Sequence, residues 1–218
     1  MNLISYMFFS GQNKTYKKGF TLVELTVSLG IMTLILTMVL SNQSQYTEGS
    51  TLVNLADEIG LTITQAQTYG VSVKEFSPGT SEFSAAYGVE FNITSSGSND
   101  AYIFFADREV GSVTGVYESG WTCPTDASSE CLTKTNIARN NKIATICSIP
   151  NSGPESCNVG KLDVTFVRPL TNANLEFFDL NGAYLSLSNI KGARIGLISP
   201  SGTTRSVTVY TTGQISIQ

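Results

Sequence analysis

From Phe20 to Leu40 the chain runs 21 residues with a single charge, Glu24. Roughly 20 apolar residues suffice to cross a ~30 Å hydrocarbon core, so this run predicts a transmembrane helix. Its polar members, Thr21, Thr26, Ser28, Thr33 and Thr37, are small hydroxyls that can bond carbonyls of the preceding turn, which makes them compatible with lipid. Further on, Leu52, Leu55, Ile59, Ile63 and Ala66 recur near helical spacing, so Thr51–Val71 predicts an amphipathic helix whose stripe faces a folded domain. No proline occurs from Phe20 to Ser77. One continuous helix of about 50 residues, ~75 Å long, is therefore feasible, with Gly49, Gly60 and Gly70 loosening it locally and Gly70 as its expected end.

After Val71 the pattern becomes alternating and β-branched. Strands are predicted at Tyr87–Ile93, Tyr102–Ala106, Ile143–Ile149, Leu162–Arg168, Leu175–Leu180, Ala183–Leu187, Ala193–Ile198, Arg205–Tyr210 and Gln214–Ile217. Asn181-Gly182, Pro200-Ser201-Gly202 and Thr212-Gly213 supply turns between the later ones, so the last three segments read as an antiparallel meander. Thr94–Asp100 and Asp126–Glu130 are small-polar loops. The expected fold class is α+β: a long N-terminal helix packed on an antiparallel β head.

Charge places this fold on a membrane. Lys14, Lys17 and Lys18 precede the apolar run, and the first charges after it, Glu48, Asp57 and Glu58, are acidic. That asymmetry puts the short N-terminal end in the cytoplasm and the head outside. A secretory signal would place small residues of the A-x-A kind just after the apolar region, and Leu36–Tyr46 has none, so the span is expected to be retained.

Lys17-Lys18-Gly19-Phe20-Thr21-Leu22-Val23-Glu24-Leu25 resembles the class III leader of type IV prepilins and type II secretion pseudopilins. In that family a basic leader ends in Gly, is cut before a Phe, and has Glu as the fifth mature residue; Gly19, Phe20 and Glu24 match. The resemblance implies cleavage after Gly19 and N-methylation of Phe20 by a membrane aspartyl prepilin peptidase. It also implies assembly with other pilin or pseudopilin subunits through an assembly platform, and a long stalk helix whose outer half packs on a β-rich head.

Glu24 invites two readings. A carboxylate in a helix's first turn complements the macrodipole, an effect of ~0.3–1 kcal/mol. A carboxylate near the membrane interior is expensive unless paired, which favours a functional role. The resemblance implies that Glu24 meets the N-terminal amine of a neighbouring subunit in a filament. The ending Arg205–Ile217 also resembles the C-terminal hairpin of H-type minor pseudopilins and related minor pilins; where such proteins often carry an Arg in the outer stalk, this chain has Gln65-Ala66-Gln67.

Composition narrows the chemistry. The chain of 218 residues, 14% charged, suits one globular head plus a membrane stalk. Without residues 1–19 it keeps 10 basic and 17 acidic residues, a formal −7, which disfavours general nucleic-acid binding. It has no histidine, which excludes Ser-His-Asp triads, Cys-His dyads and HExxH zinc sites, and it has no Walker A loop and no G-x-G-x-x-G. A structural, non-enzymatic protein without a cofactor is expected.

Cys123, Cys131, Cys147 and Cys157 all fall on the exported side. Their spacings lack the close pairs of structural zinc sites, and an even count in an oxidising compartment favours disulfides. Four cysteines allow three connectivities, and sequence does not choose among them; the sequential pairing is our expectation, Cys123 with Cys131 and Cys147 with Cys157. Asp107-Arg108-Glu109 is the nearest candidate for a calcium loop, but calcium needs six to eight oxygens and the next acidic side chain is Glu118, so a solvated turn is expected. For DNA, Lys161, Arg168, Lys191, Arg194 and Arg205 stand against Asp163, Glu176 and Asp179, a scattered excess of two charges rather than a patch.

The expected organisation is a cleaved leader over 1–19, a transmembrane or filament-core helix over 20–40, an exposed stalk over 41–71 and a β-rich head over 72–218. The expected function is a minor pilin or pseudopilin, held in the cytoplasmic membrane until it enters a filament. A fixed membrane-anchored adhesin and a DNA-uptake minor pilin are the alternatives.

Overall fold

The computed structural model describes residues 19–72, 86–108, 115–124 and 129–218, with 41–47 as backbone alone. Lys14, Lys17, Lys18, Glu109 and the Asp126–Ser128 part of one predicted loop lie outside the described residues. The chain forms two compact units, residues 1–44 and 45–218.

One helix, α1, spans Leu22–Val71. In the first unit its apolar side chains face outward: Leu22 is 79% exposed and Met38 73%. Leu22–Leu40 is long and apolar enough to cross a membrane, and none of it is buried in the protein. In the second unit Leu52, Leu55, Ala56, Ile59, Ile63 and Ala66 are buried. Both ends of the apolar pattern thus yield helix, one with its side chains exposed and one packed into protein.

Among the described residues eleven strands follow: β1 (Ala86–Asn92), β2 (Ala101–Asp107), β3 (Cys131–Asn136), β4 (Lys142–Pro150), β5 (Ser156–Val159), β6 (Lys161–Phe166), β7 (Ala173–Phe178), β8 (Tyr184–Leu185), β9 (Ile190–Ile198), β10 (Thr204–Tyr210) and β11 (Ile215–Ile217). They make two sheets, a six-stranded one in the order β3-β2-β1-β6-β7-β8 and a five-stranded one in the order β11-β10-β9-β4-β5. Every pairing is antiparallel. The predicted meander is β9-β10-β11.

β3 and β5 were not among the predicted strands. Both are edge strands with polar, half-exposed sequences, Cys-Leu-Thr-Lys-Thr-Asn and Ser-Cys-Asn-Val, so they lack the alternation that burial of one face imposes. β8 is shorter than the predicted Ala183–Leu187.

One core joins the stalk to both sheets. On the six-stranded sheet the odd positions of β1 (Tyr87, Val89, Phe91) and the even positions of β2 and β6 (Tyr102, Phe104, Leu162, Val164, Phe166) point into it; from the five-stranded sheet come Ile146, Ile195, Leu197, Val207 and Val209. Each fully buried Leu or Ile contributes ~1.5–3 kcal/mol, so this shared core dominates the stability of the second unit. Two of the helix glycines, Gly60 and Gly70, lie directly against the head. A Cβ at Gly70 would collide with the Phe166 carbonyl, and one at Gly60 would lie 2.9 Å from Cδ1 of Ile217.

Candidate functional site

The start of α1 is built by its own sequence. Thr21 is the N-cap: its Oγ1 accepts from the Glu24 N–H at 3.2 Å, and its carbonyl accepts from the Leu25 N–H at 3.1 Å. Thr21-x-x-Glu24 has the residue types and spacing of a capping box. Phe20 is 78% exposed, immediately ahead of this cap. Helix geometry therefore begins at Leu22, three residues after Gly19.

Along the apolar stretch the hydroxyls bond backwards. Thr26 donates to the Val23 carbonyl at 2.9 Å, Ser28 to Glu24 at 2.7 Å, Thr33 to Gly30 at 2.9 Å and Thr37 to Leu34 at 2.9 Å. Each polar hydrogen is satisfied within the helix, which removes the main penalty for placing it in hydrocarbon.

In the second unit polar side chains of α1 hydrogen-bond to the head. Gln67 Nε2 donates to the carbonyls of Thr171 at 3.0 Å and Gly213 at 3.2 Å, and the Tyr102 hydroxyl donates to Glu58 Oε1 at 3.2 Å. Gly213 is in the turn between β10 and β11 with φ 85°, a conformation that favours glycine. The predicted Gln65-Ala66-Gln67 segment thus contains the residue that ties the stalk to the last hairpin.

The cysteines form Cys123–Cys131 and Cys147–Cys157. The first bonds the end of the 115–123 segment to edge strand β3, and the second bonds β4 to edge strand β5. Among the described residues Cys147, Glu155 and Cys157 bring potential metal ligands within 4.8 Å of one another. The two sulfurs are bonded to each other, so neither is a thiolate able to ligate a metal.

The other face of the six-stranded sheet carries charge. Lys161 Nζ lies 3.2 Å from Asp163 Oδ2 and 3.4 Å from Glu90 Oε1, with Asp163 fully buried and Glu90 2% exposed. Burial raises both carboxyls above their usual range, with Lys161 opposing; for Asp163 the rise is large. Burial alone would lower Lys161, but Asp163 and Glu90 outweigh it and leave its pKa raised. Segment 115–121 covers this face. Its Tyr117 packs with Ile103 and Phe105, and Trp121 packs against them.

The calcium and DNA candidates are redistributed. Asp107 is fully buried and accepts from the Gly115 N–H at 2.7 Å, so this part of Asp107-Arg108-Glu109 is not a solvated turn; the covering segment takes it out of water. Lys161 is internal, Arg194 is paired with Glu155, and Lys191 sits 5.6 Å from the Tyr210 ring centroid. Arg168 follows β6 on one sheet while Lys191, Arg194 and Arg205 belong to the other, so the five cations do not form one surface.

Sequence reasoning missed Gln67 and the Glu90–Lys161–Asp163 group. A trace was visible: Val89-Glu90-Phe91 and Leu162-Asp163-Val164 each set an acid between two apolar residues. Alternation marks such an acid as facing away from the core. Only the covering segment makes that face buried.

No curated protein and no solved structure matches the chain. The prokaryotic N-terminal methylation motif matches residues 14–40, the stretch that contains Gly19, Phe20, the Thr21 cap, Glu24 and the apolar helix. With that motif ahead of an α+β body, the chain carries the class III leader of the type IV pilins and pseudopilins.

Proposed function

We propose that the protein is a minor pilin or pseudopilin, a structural subunit of a type IV pilus-like or type II secretion filament. The methylation motif running into a bare apolar helix carries this reading. Prepilin peptidase cuts after Gly19 and methylates Phe20, so residues 20–40 wait in the cytoplasmic membrane with the head outside. The helix then moves from lipid to the filament core among other subunits, driven by the assembly platform. Because lipid and neighbouring helices are similarly apolar, transfer gains little by itself and specific pairing decides register. Glu24 pairs there with the Phe20 amine of an adjacent subunit, the polar contact that an apolar core makes strong. Residues 72–218 form the head that specialises the subunit.

The test is the mature N-terminus, read by mass spectrometry of the protein from cells with and without prepilin peptidase. A chain beginning at N-methylated Phe20, only when the peptidase is present, is the expected result. An intact leader in the mature protein would replace the filament reading with that of a fixed membrane-anchored adhesin.

A further inference from the structure

The segment from Gly115 to Trp121 lies across the outer face of the six-stranded sheet, and buried carboxylates hold its backbone. The Gly115 N–H donates to Asp107 Oδ2 at 2.7 Å, the Tyr117 N–H to Asp163 Oδ2 at 3.3 Å, and the Glu118 N–H to Glu130 Oε2 at 2.7 Å. Lys161 Nζ donates to the Tyr117 carbonyl at 2.9 Å. The four acceptors and donors come from β2, β6 and the residue just before β3, so the segment is fastened along much of the sheet.

This fastening carries an imbalance. Glu90 and Asp163 share one ammonium, that of Lys161, and each has a second oxygen, Glu90 Oε2 and Asp163 Oδ1, that is buried and has no hydrogen-bond partner among the described residues. A buried carboxylate oxygen without a donor is costly when the group is ionised, and a proton on one of the two oxygens removes the excess charge. Among the described residues Lys161 is the one cation that acts on both carboxyls, while Glu130 adds negative charge beside Glu90 and Tyr117 is a neutral phenol.

We propose that Gly115–Trp121 is a proton-held strap: it stays shut over the sheet while the Glu90–Asp163 pair retains one proton, and lifts when rising pH removes it. Lifting lets water reach both carboxylates and uncovers Ile103 and Phe105, an apolar surface that the closed head hides. Cys123–Cys131 keeps the far end of the strap tethered, so the motion is a local opening.

The direction follows from burial. Glu90, Asp163 and Glu130 are all raised in the closed head, so the closed form binds protons more tightly than the open one. Its advantage is complete below the ordinary carboxylate range, about pH 4, and is lost as pH rises through the raised values. One proton corresponds to at most about a tenfold change in the open-to-closed ratio per pH unit.

Hydrogen exchange of the full-length protein in detergent micelles, corrected for intrinsic rates, tests this between pH 5.5 and 8.5. In the wild type, protection of the Gly115–Trp121 amides should fall at least tenfold, while that of β9 and β10 stays constant. Asp163→Asn, whose amide oxygen can still receive the Tyr117 N–H without needing a proton, should keep the strap protected throughout, and Glu90→Gln should do the same. Emission from Trp121, the chain's one tryptophan, should shift to the red with pH only in the wild type. Constant wild-type protection, an undiminished pH response in both variants, or β9 and β10 opening in parallel would each overturn the strap.

Discussion

Gln67 on α1 and Gly213 in the last turn are joined by a 3.2 Å hydrogen bond, and the same amide nitrogen reaches the Thr171 carbonyl at 3.0 Å. One side chain thus closes contacts 104 and 146 residues away in sequence. Gln67→Leu keeps similar bulk but removes both donors. With each such bond worth roughly 0.5–1.5 kcal/mol net and both partly hydrated, the loss should be about 1–2 kcal/mol. Thermal unfolding of the full chain in micelles, followed by circular dichroism, would register it as a lower Tm; an unchanged Tm would remove Gln67 from the account of how the stalk is held.

Two glycines of the same helix should respond oppositely to alanine. Gly70 lies against the Phe166 backbone, so Gly70→Ala must push strand β6 away from α1, an overpacking cost of about 1–3 kcal/mol. Gly49 has nothing within 4 Å of an added Cβ, and Gly49→Ala should stabilise the helix by about 0.5–1 kcal/mol. Denaturant midpoints for the two variants should lie on opposite sides of the wild type.

The disulfides close short loops, with sequence separations of 8 and 10. Loops of that size predict about 2–3 kcal/mol each from the constrained unfolded chain. Replacing Cys147 and Cys157 together by serine should lower stability by that amount and free edge strand β5. Replacing Cys123 and Cys131 should in addition raise the exchange of the 115–121 amides. Equal protection of that segment with and without the first bridge would show that the tether is not needed for closure.

Asp179 should have a pH dependence opposite in sign to that of Asp163. Its Oδ1 accepts from the Ala183 and Asn181 N–H groups, both at 2.8 Å, and these bonds lower its pKa. Any stability it gives the β7–β8 turn is therefore present above the ordinary carboxylate range and lost as pH falls through the lowered value. Side-chain carboxyl shifts measured by NMR should place the Asp179 midpoint below that of a solvated aspartate and the Asp163 midpoint above it. Asp179 titrating like a solvated aspartate would count against the turn geometry.

For Glu24, the pairing proposed for the filament makes a separate prediction. Glu24→Gln retains the length of the side chain and the Thr21 cap while removing the charge. Processing at Gly19 should continue, and incorporation into filaments alongside wild-type subunits should drop severalfold. Incorporation equal to wild type would leave the carboxylate with its helix-terminus role alone.

How far the chain could be read without its structure varied with the range of the interaction. The leader, the apolar run, the 52-55-59-63-66 stripe and the final meander rest on local spacing, and each is visible in a single short window of sequence. β3 and β5 escaped because their mostly polar sequences, Cys-Leu-Thr-Lys-Thr-Asn and Ser-Cys-Asn-Val, carry no regular apolar alternation. Asp107 was misread as solvated because nothing near it in sequence announces that Gly115 will cover it.

The sequence by itself determined which stretch is long and apolar enough to cross a membrane, which face of the stalk is apolar, and the Thr21 cap that starts the helix at the edge of the leader, because these depend on neighbours a turn or two away. Tertiary structure alone decided which sheet face is closed, that Lys161 serves two acids instead of solvent, and that Gln67 rather than a charge ties the stalk to the last hairpin. The physical reason is desolvation: an acid on a strand is an ordinary surface group until a distant segment excludes water from it, and then its charge, its partners and its protons become properties of the whole head.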